Sequence, residues 1–216
     1  MCLLALCKTS TIPKENFEKA FKTNDDGFGF AFRKNDKVVY FKGFMTVEDA
    51  WKNYSQFARE KIFPHVIHFR MGKPTEAMLT HPFEVSDVSP LYLNNVTDND
   101  VLFHNGVISG WRDRMFESFV LSRKIPEGPI IDTRVAAIWY HHFGKDIFRF
   151  IDGKFIVFGK DKLEIYGEFK EDEGILYSND SYKPYKYTYT TRTYNTGYQG
   201  GFDYMDYSDI IDEFIV

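Results

Sequence analysis

Cys2 follows the initiator methionine directly, and this placing of a thiol beside a chain terminus is the sharpest chemical feature of the sequence. A small residue at position 2 permits removal of Met1, which would leave Cys2 with a free α-amine. That amine titrates at about 7.7–8.0 and a thiol at about 8.5, so one residue would hold both nucleophile and base. The thiolate would attack a carbonyl carbon, and the amine would relay the thiol proton to the leaving group. The plainer reading of Cys2 is a small apolar residue that starts a buried strand.

Three further groups have a chemical reading beside a structural one. Phe103-His104-Asn105-Gly106 ends an apolar run. Asn-Gly in that place is a turn, or else an oxyanion hole built from the Asn105 side-chain amide and the Gly106 backbone N–H. His68-Phe69-Arg70 also ends an apolar run, and His81-Pro82-Phe83 follows it. The Arg70 guanidinium is either one half of a surface ion pair or a planar fork that grips a carboxylate, as an amino-acid ligand requires. Asp132-Thr133 precedes a helical pattern. Asp132 there reads as an N-cap or as a partner for an ammonium group, and one carboxylate has lone pairs for both.

Composition narrows the classes of function. The chain has 216 residues, enough for one full domain with a short appendage, and a net charge of −4 argues against a general nucleic-acid binder. No segment is long and apolar enough for a membrane span. The apolar start, Met1 to Cys7, is short, has no basic region before it and ends at Lys8, so it reads as a strand and not a signal peptide. Cys2 and Cys7 are the only cysteines, and five residues apart on a strand they face opposite sides. No disulfide is expected, and a reducing, cytoplasmic location follows. No Gly-rich phosphate loop is present, because Gly27-Phe28-Gly29 is too short and no Lys-Ser/Thr follows a glycine. No cofactor is expected. His141-His142 and the His65/His68 pair lack a cysteine or carboxylate at ligand spacing, so no metal is expected either.

The elements that must position these groups follow from periodicity and turn signals. Strands are expected over 2–7, 28–33, 37–41, 66–70, 100–104, 154–158, 163–166 and 175–178. Lys34-Asn35-Asp36 closes one hairpin and Gly159-Lys160-Asp161 another. Helices are expected over 14–22, from Thr46 to about 61, and from about 133 to 142. The order predicts an α+β sandwich with sheets face to face and helices outside. From about Tyr182 the composition turns to Tyr, Thr and Gly and then becomes acidic, so the reading is a domain over 1–181 with a tail over 182–216. The tail is expected to be mobile or laid along the domain.

The order of these pieces resembles the class II glutamine amidotransferases, a branch of the N-terminal-nucleophile hydrolases. The resemblance rests on Met1-Cys2, Asn24-Asp25-Asp26-Gly27-Phe28-Gly29, His68-Phe69-Arg70, His81-Pro82-Phe83, His104-Asn105-Gly106-Val107-Ile108, Ile131-Asp132-Thr133 and Gly153-Lys154-Phe155-Ile156-Val157. It covers about residues 1–180 and looks most like the small stand-alone members, phage-encoded ones among them. The Lys-, Asn-, Phe- and Tyr-rich composition points the same way. The resemblance implies a four-layer αββα sandwich of two antiparallel sheets.

The resemblance also implies roles. Cys2 attacks the side-chain amide of glutamine, and Asn105 and Gly106 hold the oxyanion. Arg70 binds the α-carboxylate, Asp132 the α-amine, and Gly27 and His81 complete the substrate site. The turn at Gly27 brings backbone close to the nucleophile, where a Cβ would obstruct. A thioester forms, then glutamate, and the ammonia passes to a synthetase or transferase partner. Family members often carry Thr-His-Gly after the arginine, whereas this chain has Met71-Gly72-Lys73 and a shortened stretch to His81. That departure leaves hydrolysis of another γ-glutamyl compound as an alternative, and the acidic, Tyr-rich tail leaves another, a catalytically silent binding or regulatory module.

Overall fold

The structure is a computed structural model, and it describes residues 2–183. The chain runs β1 (Leu3–Cys7), α1 (Lys14–Thr23), β2 (Phe28–Lys34), β3 (Lys37–Phe44), α2 (Val47–Ala58) and β4 (His65–Phe69). It continues with β5 (Phe83–Glu84), β6 (Asn94–Thr97), β7 (Val101–Asn105), α3 (Trp111–Ser122) and α4 (Asp132–Phe143). The last strands are β8 (Lys154–Phe158), β9 (Leu163–Tyr166), β10 (Lys170–Asp172) and β11 (Ile175–Tyr177). One sheet has seven strands in the order β10-β11-β1-β4-β2-β3-β6, and the other has four, β5-β7-β8-β9. All the pairings are antiparallel.

The alternation of side chains along β1 sets the layers. Leu3, Ala5 and Cys7 enter a core with Phe17 and Phe21 of α1 and with Tyr54 and Phe57 of α2. Leu4 and Leu6 point the other way and meet Val101 and Phe103 of β7 and Ile156 and Phe158 of β8. The second sheet turns Leu102, Phe155 and Val157 outward onto Val135, Ala136 and Trp139 of α4. Three apolar layers therefore lie between four layers of secondary structure, and the architecture is the αββα sandwich. Both cysteines are free, Cys7 being buried.

Local chemistry accounts for the elements. Thr46 accepts the Asp49 N–H and caps α2. The β2–β3 hairpin closes through Asn35 and Asp36, both in the left-handed region (φ 52° and 56°), a conformation those two residue types tolerate. Helix α3 and strands β5, β6 and β10 were not expected, and the last three are strands of only two to four residues. Tyr182 lies inside the first core, stacked on Tyr177 at 3.7 Å, so the packed part of the chain extends at least one residue beyond the expected boundary at 181. The remainder of the expected tail, from 184 onward, lies outside the described residues.

Candidate active site

Strand pairing brings the first cysteine to the first arginine motif. Leu3 lies opposite Phe69 in the β1–β4 ladder, so one step further places Cys2 beside Arg70. The Cys2 Sγ accepts the Met71 N–H at 3.3 Å and lies 3.4 Å from the Met71 carbonyl oxygen. The other side of β1 is held by the segment after β11. Asn179 Nδ2 donates to the Cys2 carbonyl at 2.7 Å, the Leu4 N–H donates to Ser178 Oγ at 2.9 Å, and the Ser178 N–H returns a bond to the Leu4 carbonyl at 2.9 Å. Burial pushes the Cys2 thiol above its ordinary range, and the Met71 N–H and the Arg70 guanidinium pull it back only in part. A half-buried thiol raised in this way needs a base to become a nucleophile.

Cys2 opens onto a cavity of about 360 Å³ whose wall includes Arg70, Gly72, His81, Gly106 and Asp132. Arg70 is 4% exposed and donates to the Gly72 carbonyl at 2.5 Å. Its backbone is clamped to the Asp26-Gly27 turn, with the Arg70 N–H donating to the Gly27 carbonyl (2.7 Å) and the Asp26 N–H to the Arg70 carbonyl (3.0 Å). Asp26 accepts from the Gly72 N–H at 2.7 Å and from the Thr75 hydroxyl at 2.9 Å. Burial works against that charge, yet these two donors and Lys73 hold the carboxyl below the usual carboxylate range.

The opposite wall is organised around Thr133. Its hydroxyl lies 3.0 Å from His81 Nε2, 3.1 Å from His104 Nδ1 and 3.3 Å from Asp132 Oδ1. A hydroxyl has one proton, which goes to the carboxylate, so both imidazoles donate to the hydroxyl oxygen. Burial holds His104 down to about 4 and His81 far below its ordinary value, and both rings are neutral. Of the two readings of Asp132, the N-cap does not hold, because Ile131 occupies that position and Asp132 is the first helical residue. Its Oδ1 accepts its neighbour's N–H at 2.7 Å and its Oδ2 accepts the Ile108 N–H at 3.2 Å, with the side chain 19% exposed toward the cavity. A carboxylate at a helix N-terminus is held there by the backbone dipoles.

Of the expected site residues, Cys2, Arg70, His81, Gly106 and Asp132 line the one cavity. Asn105 and Gly27 lie one step behind it. The Asn105 side chain is buried, Nδ2 donates to Ser178 Oγ at 2.8 Å, and Oδ1 has no partner. Gly27 adopts φ +116°, and a Cβ there would come within 2.5 Å of Thr80 Cγ2. The obstruction that demands glycine is therefore Thr80 and not Cys2, a correction to the sequence reading. Gly106 has φ +152°, and a Cβ there would meet His104 Nε2 at 2.9 Å. Four contributors were not singled out from sequence: Asp26, Thr133, Ser178 and Asn179. Asp26 and Thr133 lay within recognised motifs, whereas Ser178-Asn179 carries no local signal. A second cavity of about 370 Å³, walled by Glu117, Trp139, Phe143, Asp146, Ile147 and Phe150, has no cysteine in its wall.

Two antiparallel sheets are stacked between helices, with Cys2, the residue before β1, on the cavity wall, and this is a fold of the N-terminal-nucleophile hydrolase type. Among solved structures the chain is similar to a glutamine phosphoribosylpyrophosphate amidotransferase from B. subtilis, complexed with ADP and GMP. The TM-score is 0.58 at 12% identity, over 82% of this chain and 41% of that one. A second structure, described as the allosteric regulatory enzyme of purine biosynthesis, aligns at a TM-score of 0.47 and 14% identity, over 74% of this chain and 36% of that one. The chain therefore spans about two-fifths of the length of the amidotransferase it matches. No family model matches the sequence, and no curated protein does.

Proposed function

We propose that the chain hydrolyses the side-chain amide of glutamine, with Cys2 as nucleophile after loss of Met1, and that the ammonia serves a partner synthetase or transferase. The observation that carries this reading is the convergence of Cys2, Arg70, Asp132 and Gly106 on one cavity. An amino acid has an α-carboxylate and an α-ammonium, and this cavity offers the Arg70 guanidinium to the first and the Asp132 carboxylate to the second.

In the proposed reaction the free α-amine of Cys2 takes the thiol proton. The thiolate bonds to the amide carbon, and the carbonyl electrons move to oxygen. The oxyanion is held by the Gly106 N–H and the Asn105 amide. Ser178 Oγ already accepts the Leu4 N–H and keeps a proton to give. With Asn105 Oδ1 turned to that proton, Nδ2 becomes the unpartnered atom and supplies the second donor. Such a donor contributes about 2.7–4 kcal/mol of transition-state stabilisation. The ammonium then protonates the leaving nitrogen, ammonia departs and a thioester remains. Water, deprotonated by the same amine, releases glutamate.

One observation favours a second reading, a γ-glutamyl amide that carries further negative charge. Lys73 and Arg112 join Arg70 along the cavity, so cations outnumber the single Asp132 carboxylate. Intact mass before and after a diazoketone analogue of glutamine tests the chemistry. Loss of Met1 and a single adduct absent from Cys2→Ala are expected. Retained Met1, or an adduct that persists in Cys2→Ala, rejects Cys2 as the nucleophile. Release of amine from γ-glutamyl amides with none from glutamine decides for the second substrate.

A further inference from the structure

The far end of α4 carries a cluster that the amidotransferase chemistry does not use. His141 Nε2 lies 3.3 Å and His142 Nε2 3.6 Å from the same oxygen, Asp87 Oδ1. Asp87 belongs to the segment after β5, far away in sequence, so the carboxylate that the sequence did not place near the His-His pair arrives through the fold. Among the described residues this is the one group of three such side chains whose ligand atoms all lie within 4.8 Å of one another. We propose that Asp87, His141 and His142 bind a divalent transition-metal ion of the zinc type.

Three observations support the site. The first is geometric: zinc–nitrogen and zinc–oxygen bonds of about 2.0–2.2 Å place tetrahedral ligand atoms about 3.3–3.5 Å apart. The two observed nitrogen-to-oxygen separations fall on or next to that range, before any ion draws the ligands in. The second is an orphan: His142 Nε2 is buried from solvent and has no hydrogen-bond partner. The third is position. Both histidines stand in the last turn of α4, where the backbone carbonyls favour a cation. Two imidazoles and one carboxylate are a borderline donor set that suits zinc and leaves a fourth position for water.

The ion would tie the 86–90 segment to α4 at a second point. Arg134, about two turns nearer the start of that helix, already donates to the Ser89 carbonyl at 2.8 Å and the Val88 carbonyl at 3.0 Å. The two ties together hold the helix whose first residue is Asp132. Lys124 donates to the other oxygen, Asp87 Oδ2, at 2.9 Å, and so competes with the ion without occupying its ligand atom.

The test must exclude the terminal cysteine, since a thiol beside an amine is itself a zinc chelator. Tag-free full-length Cys2→Ala is titrated with ZnCl₂ by calorimetry, alone and combined with His141→Gln/His142→Gln, Asp87→Asn or Lys124→Ala. The expected result is one ion per chain. Affinity falls more than tenfold in the histidine and Asp87 variants and rises in Lys124→Ala, and a zinc-dependent rise in Tm disappears with the histidines. These four side chains are exposed or half-exposed, and circular dichroism confirms that each variant folds. No binding in Cys2→Ala, or binding undiminished by the histidine pair, overturns the proposal.

Discussion

Ser178 is the side chain through which the first strand and the Asn105 turn are joined, and its loss separates two consequences. In Ser178→Ala the buried Leu4 N–H loses its acceptor at 2.9 Å, and the Asn105 amide loses its partner at 2.8 Å. An unsatisfied buried donor costs about 1–3 kcal/mol. With both groups affected and some relaxation, about 2–4 kcal/mol is expected. For a domain of this size that lowers Tm by about 5–15 °C. The kinetic effect on the proposed reaction is separate. Asn105→Ala should cost about 10²–10³ in kcat, whereas Ser178→Ala leaves the amide in place but no longer oriented and should cost about tenfold. KM should stay within about twofold, because Arg70 and Asp132 are untouched. Thermal denaturation and glutamate release measure the two effects. A Tm within about 2 °C of the parent refutes the assignment of Ser178 as a buried acceptor. A destabilised variant with undiminished kcat refutes Asn105 as the oxyanion donor.

Arg70→Lys keeps the charge but loses the planar fork, so KM for glutamine should rise about tenfold or more with a smaller change in kcat, read by initial rates; an unchanged KM removes Arg70 from carboxylate binding. Thr133→Val strips the hydroxyl shared by His81, His104 and Asp132 and should cost about 2–3 kcal/mol in urea denaturation, most of it restored in Thr133→Ser. Burial holds His65 and His104 to about 4 and His68 to about 3, below the ordinary 6.5, so the unfolded chain binds more protons. Their contribution is fully present above about pH 6.5 and is lost as pH falls toward the folded values, by about 2 kcal/mol per imidazole at pH 5; equal urea midpoints at pH 7.5 and 5 would show that these rings are not neutral and buried.

What was legible in the sequence had a local signal. Strands β8 and β9 fall on the expected residues, because apolar runs and a Gly-Lys-Asp turn specify them without outside help. The ends of β1, β4 and β7 were read to within a residue for the same reason. Strand β6 has no such signal: Asn94-Asn95-Val96-Thr97 is polar, and the Asn95 and Thr97 side chains are drawn in by the buried Glu84 at 2.7 and 3.2 Å. Its place is set by a tertiary hydrogen-bond network and not by propensity. The same limit applies to Ser178 and Asn179. Their role exists only because β11 lies beside β1, a pairing between residues about 170 apart.

The layers explain why the polar site can sit where it does. Between the sheets the β1 side chains that face β7 and β8 are wholly apolar up to Leu4, and the next residue on that face is Cys2. The apolar seam therefore ends at Cys2, and the polar groups begin at once with Arg70, Asp132 and Gly106. Groups of that kind placed within the seam would each have to be desolvated without a substrate to pair them. At its rim they are held by backbone donors and acceptors that the strands no longer use: the Met71 and Ile108 N–H groups and the Gly72 carbonyl. The neutral His81 and His104 complete the wall without adding charge. His104 belongs both to the cavity wall and to the buried imidazoles on which the acid stability of the fold depends. A substitution at His104 should therefore alter both the urea midpoint below pH 6 and the orientation of Gly106, against which its Nε2 is packed.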